Sequence, residues 1–308
     1  MKQAFIYLTL RCNNHCPMCY MRNHYSKIEE IDFEDARLLL QSLMQEGVEK
    51  VTFLGGEPTM YTRLNDLLWV VKELQIPFVR LQTNGQFDES LLSSSAIVNC
   101  VDAITFSLDG HTAELNEKMR KGADYEMSIR NITRSLTLGK KIAVNTTISG
   151  VNIDYTCSII NHIRNMGVQH LYLNLFFDAG KGGTDQDTMG VLPQKWKKTY
   201  DDIIDNYSNS HMRIKLPVGF SDDRHVSNSC LGKNLERIYV MPNLDMYSCI
   251  LFINNPQFKL QHYALRKSEV HNAYGNKQCH EHCIYLKDEY LWGRPMCLYN
   301  KRNVGISK

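Results

Sequence analysis

The 308-residue sequence has no apolar run near the ~20 residues needed to span a bilayer. Its first residues, MKQAFIYLTLRC, offer too short and polar a stretch before Arg11 for a secretory signal. Charge of one sign is also missing: 35 Lys plus Arg against 33 Asp plus Glu leave a net +2. A protein held on nucleic acid through phosphate contacts carries a basic surplus, so that class is disfavoured. No low-complexity segment occurs, and no repeat beyond an alternation of short apolar runs with helical stretches. What remains is a folded protein, expected in the cytoplasm with neither membrane nor nucleic acid as partner. Thiols stay reduced there, so ten cysteines point to metal or catalysis before disulfides.

The alternation predicts the fold. Residues 4–10 (AFIYLTL), 50–54 (KVTFL), 78–82, 102–108 (DAITFSL), 141–148 (KIAVNTTI) and 170–177 (HLYLNLFF) read as six buried strands. Between them, Asp32 caps a helix whose Phe33, Ala36, Leu39, Leu40, Leu43 and Met44 share one face, and Gly47 ends it. Leu64, Leu67, Leu68, Val71 and Leu74 mark the next helix. Further helices are read near 125–138, stopped by Gly139, and over 154–166, stopped by Gly167. Six βα units imply a parallel α/β sheet with right-handed crossovers, as a partial (β/α)6 TIM-like barrel. The strands read as apolar on both faces, as a sheet covered by helices requires. Chemistry is expected at the strands' C-terminal ends. Residues 178–190 read as a loop and 194–207 as one more helix. We divide the chain into a core over 1–190 and a small cysteine-rich C-terminal extension over 191–308.

Directly after the first strand, Cys12, Cys16 and Cys19 form C-x3-C-x2-C in CNNHCPMC. Structural zinc sites want four closed ligands. A four-iron cubane held by three thiolates keeps one iron open to an outside ligand, which catalysis at a metal needs. The competing reading is a zinc knuckle completed by His15 or His24.

The triad followed by Tyr20, at the end of the first strand of such a chain, resembles the radical S-adenosylmethionine (SAM) enzymes. The resemblance extends over about residues 4–177. Gly55, Gly56, Glu57 and Pro58 follow the second strand as that family's GGEP motif does, which implies that this turn and Glu57 hold the SAM amino group. Two glycines admit close backbone approach, and a carboxylate suits an ammonium. Ser107 and Asp109, ending the fourth strand, stand where relatives contact ribose and methionine. Arg120 resembles an RG element that pairs with the SAM carboxylate, Asn145 a ribose-binding position, and Tyr20 a cover for adenine. Gln82, Thr83 and Asn84 face the same rim. The resemblance implies a [4Fe–4S] cluster, SAM, and a reductase or flavodoxin as electron donor. Reductive cleavage of SAM to a 5′-deoxyadenosyl radical and hydrogen abstraction from a substrate C–H follow from it.

Cys230, Cys249, Cys279, Cys283 and Cys297 occupy the tail. Residues 241–248 (MPNLDMYS) read as a tight hairpin delivering Cys249. The arrangement resembles the SPASM and shorter twitch extensions of these enzymes, which bind an auxiliary [4Fe–4S] cluster. It departs from them at Leu244, where glycine is preferred, and in a C-x3-C spacing where C-x2-C is usual. Cys230, Cys249, Cys279 and either Cys283 or Cys297 are the favoured ligands. A surplus thiol, Cys297, Cys283 or Cys249, is read as a hydrogen donor to a substrate radical. A structural zinc site using His280 or His282 is the alternative for the tail. Cys100 and Cys157 read as buried small hydrophobes.

By resemblance, the substrate is a ribosomally made peptide to be epimerised, crosslinked or excised. The alternative is a small molecule such as an aminoglycoside, and a non-catalytic zinc-stabilised binding protein is the reading from another class. Because the first strand lies at the start of the chain, a peptide substrate is expected to need a separate recognition protein or a short leader.

Overall fold

The computed structural model describes residues 2–21, 29–176, 186–219, 237–250, 253, 259–262 and 294–299. The six expected strands are present as β1 (Lys2–Tyr7), β2 (Val48–Leu54), β3 (Phe78–Thr83), β4 (Ala103–Ser107), β5 (Lys141–Ile148) and β6 (His170–Leu175). They pair in that order, all parallel. The sheet is wider than six strands. β7 (Arg213–Lys215) adds parallel to β6, and β9 (Arg237–Val240) adds parallel to the other edge, against β1. β10 (Asp245–Tyr247) and β11 (Lys259–His262) then follow antiparallel, giving ten strands in an unclosed sheet. β8 (Pro217–Gly219) and β12 (Arg294–Tyr299) form a separate antiparallel pair. Strands later than residue 190 thus complete both edges of the sheet that the first half begins.

The connecting helices form where capping and periodicity place them. Asp32 accepts from the amides of Glu34 and Asp35 at 2.9 and 3.2 Å, starting α1 (Phe33–Gln45). Gly47 follows at φ +78°, which a glycine reaches without a Cβ penalty. α2 (Leu64–Glu73), α3 (Ser95–Cys100), α4 (Ala113–Met119), α5 (Tyr125–Thr137) and α6 (Thr156–Asn165) complete the crossovers. The span read as a loop over 178–190 contains one helical turn, α7 (Gln186–Met189), with residues 177–185 outside the described residues. α8 (Pro193–Tyr207) agrees with the expected last helix.

Leu39, Leu40 and Leu43 of α1, Leu67 and Leu68 of α2, and Ile159, Ile160 and Ile163 of α6 are fully buried. They pack with Val51, Phe53, Ile104, Val144 and Leu173 on the sheet's outer face. Each such side chain contributes about 1.5–3 kcal/mol of transfer free energy. The strands are apolar on one face only, where the sequence predicts both. Their inner positions carry Gln3, Lys50, Arg80, Gln82, Thr105, Asn145, Thr147 and Asn174, which line a cavity of about 270 Å³. Among the described residues the connecting helices pack on the outer face, so the inner face keeps polar groups for whatever the cavity holds.

The expected hairpin is formed by β9 and β10: the Leu244 amide donates to Met241 O at 2.8 Å and the Met241 amide to Asp245 O at 2.9 Å. Leu244 sits at φ +66°, the conformation that explains why glycine is usual there. It is also buried in the core. Left-handed backbone costs a leucine about 1–2 kcal/mol, whereas losing a buried leucine costs about 2–5 kcal/mol. Leu244→Gly is therefore expected to lower stability, by about 1–3 kcal/mol. Urea unfolding midpoints at constant slope check the sign.

Candidate active site at the cysteine loop

The cysteine loop is held by backbone contacts at the end of β2. The Gly56 amide donates to Thr9 O and the Glu57 amide to Arg11 O, each at 2.7 Å. A Cβ on Gly55 would stand 2.4 Å from Thr9 O, and one on Gly56 2.2 Å from Arg11 O. The close approach that demands glycine is thus made by the chain's own Thr9–Arg11 backbone. Pro58 is buried at the start of a single 3-10 turn, Pro58–Met60, that rigidifies the exit.

Glu57 is fully buried and surrounded by donors. Its Oε1 accepts from the Thr59 amide (3.1 Å), the Thr59 hydroxyl (2.7 Å) and the Thr83 hydroxyl (2.7 Å), and Oε2 from the Asn84 amide (2.7 Å). A carboxylate oxygen has about two acceptor positions. Three of these bonds fall on Oε1 and one on Oε2, so the side chain clamps the β2 turn to the end of β3 and Oε2 keeps an acceptor position. Burial pushes its pKa up, opposed by those hydrogen bonds.

Asn84 extends the clamp to the cysteines. Its Nδ2 donates to Asn13 Oδ1 at 2.7 Å and lies 3.8 Å from Cys12 Sγ, which also accepts from the Asn14 amide at 3.5 Å. Cys16 is buried, with Arg120 Nη1 4.0 Å from its sulfur, and its carbonyl accepts from the Cys19 amide at 3.2 Å. Among the described residues no three His, Cys, Asp or Glu side chains converge tightly enough for a single metal ion. A cubane presents a different iron to each thiolate, so its ligands need not converge on one point. Burial pushes the Cys12 thiol to about 11 and Cys16 to about 12, the latter opposed by Arg120. A cationic centre would displace those protons. Three thiols on one loop, two with N–H donors at sulfur, fit an iron–sulfur cluster. His15 is exposed, and His24 lies outside the described residues.

The remaining sequence candidates divide into two groups. Asp109 and Arg120 form a buried ion pair, Oδ2 to Nε at 2.6 Å, and Asp109 Oδ1 accepts from the Thr147 amide at 2.6 Å. Arg120 is thus anchored through Nε, with its Nη1 turned to the cysteine loop. Ser107 and Asn145 are register partners on β4 and β5, and Asn145 Oδ1 accepts from Asn174 Nδ2. Asn145 lines the cavity together with Met18 and Tyr20 of the loop. The Tyr20 and Tyr7 hydroxyls share a hydrogen bond of 2.7 Å, which with burial and Tyr239 ties Tyr20 to the core as well as to the cavity wall. In the tail, Cys249 is buried just past β10. Cys297 falls on the β12 strand, and Cys230, Cys279, Cys283, His280 and His282 lie outside the described residues.

Sequence reasoning missed Asn174 and four basic residues, Lys50, Arg80, Lys215 and Arg237, which line the same cavity. The available signal was a Lys or Arg at an inward position of an otherwise apolar strand, as in Phe78–Thr83 (FVRLQT).

The Radical SAM superfamily profile matches residues 6–164, more than half of the chain. The chain belongs to the radical SAM superfamily. The similarity to individual members is modest. An AdoMet-dependent heme synthase of Oleidesulfovibrio alaskensis is 27% identical over 215 residues, covering 68% of this chain and 54% of that protein. A probable GTP 3′,8-cyclase of Methanocella arvoryzae is 24% identical over 262 residues, covering 81% of each. The chain spans about half the length of several curated relatives it matches. Among solved structures, Streptococcus suis SuiB bound to precursor peptide SuiA superposes with a TM-score of 0.68 at 20% identity, covering 89% of this chain and 65% of that one. Native anSMEcpe with bound AdoMet gives 0.69 at 16%, covering 91% and 82%. These likenesses establish the fold of this radical SAM chain, and membership of the superfamily implies a [4Fe–4S] cluster and SAM. No helix among the described residues is long and apolar enough to cross a membrane.

Two expectations follow from the geometry. Gly56→Ala drives a Cβ into Arg11 O, so stability falls by about 1–3 kcal/mol. The loop loses its register, and anaerobic reconstitution should return less iron than wild type at equal protein. The second concerns Lys50, whose pKa is lowered from 10.5 to about 8 by burial first, then by Arg80, Lys215 and Arg237. The folded value lies below the unfolded one, so between these pH values the unfolded chain binds the extra proton and stability rises with pH. Urea midpoints at pH 7.5 and 9.5 should show a rise that Lys50→Met diminishes.

Proposed function

We propose that this chain is a radical SAM enzyme that takes hydrogen from a C–H bond of a substrate seated in the barrel cavity. The observation carrying this reading is the continuity of site and cavity. Met18 and Tyr20, flanking Cys19, form one wall of the space that Asn145 and Asn174 bound from the strands. When bound, the cluster and SAM supply the one-electron reduction and the 5′-deoxyadenosyl radical. The chain's own contribution is positional. Cys12, Cys16 and Cys19 hold the cluster, Arg120 sets charge beside Cys16, and Ser107, Asn145 and the Gly55–Gly56 backbone orient SAM. Apolar walls such as Leu54 and Phe176 limit water. A reductase or flavodoxin delivers the electron.

The cations lining the cavity favour a compact anionic small molecule as substrate, in line with relatives named for GTP cyclisation and heme synthesis. The second reading is modification of a ribosomal peptide, and the fold shared with SuiB, captured with its precursor peptide, supports it. Cys249, delivered by the β9–β10 hairpin, supports an auxiliary [4Fe–4S] cluster completed by Cys230, Cys279 and either Cys283 or Cys297. The thiol left over is the hydrogen donor.

Anaerobic protein incubated with SAM and dithionite is expected to release 5′-deoxyadenosine. Cys12→Ala, Cys16→Ala and Cys19→Ala should each abolish it. Iron counting of alanine variants at Cys249, Cys283 and Cys297 separates ligands from donor: a donor variant keeps its iron and loses only radical quenching. Equal iron loss in all three would remove the donor role, and a colourless, iron-free wild type would remove the enzyme reading.

A further inference from the structure

Lys50, Arg80, Lys215 and Arg237 gather at the end of the cavity remote from the cysteine loop, each from a different strand. The register explains the gathering: Gln3 of β1 pairs with Lys50 of β2 on one side and with Arg237 of β9 on the other, while Tyr172 of β6 pairs with Lys215 of β7. Aromatic rings lie against the cations. Arg80 and Lys215 face the Tyr172 ring at 5.9 and 5.4 Å from its centroid, and Lys50 and Arg80 face Phe78 at 4.8 and 5.7 Å. Among the described residues lining the cavity there is no carboxylate. The Nε atoms of Arg80 and Arg237 are buried without a hydrogen-bond partner. An unpaired buried donor on a charged group is costly, and like charges on half-buried Lys50, Arg80 and Arg237, with exposed Lys215 at the cavity mouth, add to that cost. Protein folds retain such an arrangement where a ligand of opposite sign relieves it.

We propose that these four residues form an anion site that grips a multiply charged phosphate group of the substrate. The inference rests on the reading of the cavity as the substrate chamber. Four cations exceed what a single carboxylate neutralises, and guanidinium forks match phosphate oxygens. Lys50 precedes Leu54, at the loop end of β2, by four residues, which is about 13 Å of extended chain, so the charged end of the substrate is held away from the cysteine loop.

The test uses the full chain without SAM and inorganic tripolyphosphate as probe, followed by calorimetry at low and high salt. The wild type should bind, more weakly as salt rises. Lys50→Met and Arg80→Gln should each weaken binding by about tenfold or more. Both variants remove one of four neighbouring like charges, so their melting temperatures should equal or exceed that of wild type, which separates lost recognition from lost folding. No binding by wild type at low salt overturns the proposal, as does undiminished binding by both variants. Tighter binding of tricarballylate or an acidic peptide than of tripolyphosphate overturns the phosphate assignment. Release of 5′-deoxyadenosine by wild type is scored separately: its presence alongside absent anion binding removes this site and leaves the enzyme reading intact.

Discussion

Everything at the candidate site depends on one contact between backbones. The turn after β2 lies so close to Thr9 and Arg11 that two consecutive residues there have no room for a Cβ. Amide-to-carbonyl bonds then fix the segment from which Cys12 departs. The buried Glu57 side chain closes the arrangement from below, joining this turn to Thr83 and Asn84. Asn84 reaches Asn13 and the Cys12 sulfur in turn. The cysteine loop is therefore carried by β1, β2 and β3 together, which is how a loop can hold ligands with the precision of a strand.

The sheet divides labour between its faces. Aliphatic side chains on the outer face meet α1, α2 and α6 and supply most of the stabilising burial. The inner face stabilises less and instead presents amides, hydroxyls and cations to a cavity. That division reconciles a polar interior with a sheet covered by helices. It also means that substitutions on the inner face bear on recognition more than on folding.

Much of this was legible in the sequence, for identifiable reasons. Strand order and helix limits followed from periodicity, the Asp32 cap and glycines such as Gly47, because these are local properties. The cysteine triad and the glycine pair were legible by spacing. The partners of Glu57 and Arg120 were not, since Thr83, Asn84 and Asp109 meet them only through the tertiary fold. The inward direction of Lys50, Arg80, Lys215 and Arg237 likewise depends on which side of the pleat faces the helices. The short, variable composition of the later chain concealed that β7, β9 and β10 join the main sheet.

The pairing of β1 with β9 has a consequence for how the chain comes into being. Gln3 and its neighbours are made more than two hundred residues before the strand that covers their open side, which begins at Arg237. Until β9 is made, that flank of the nascent barrel is an uncovered β edge, a template for unwanted pairing. Closure of that flank is a late, long-range event that pays a large loop-closure entropy.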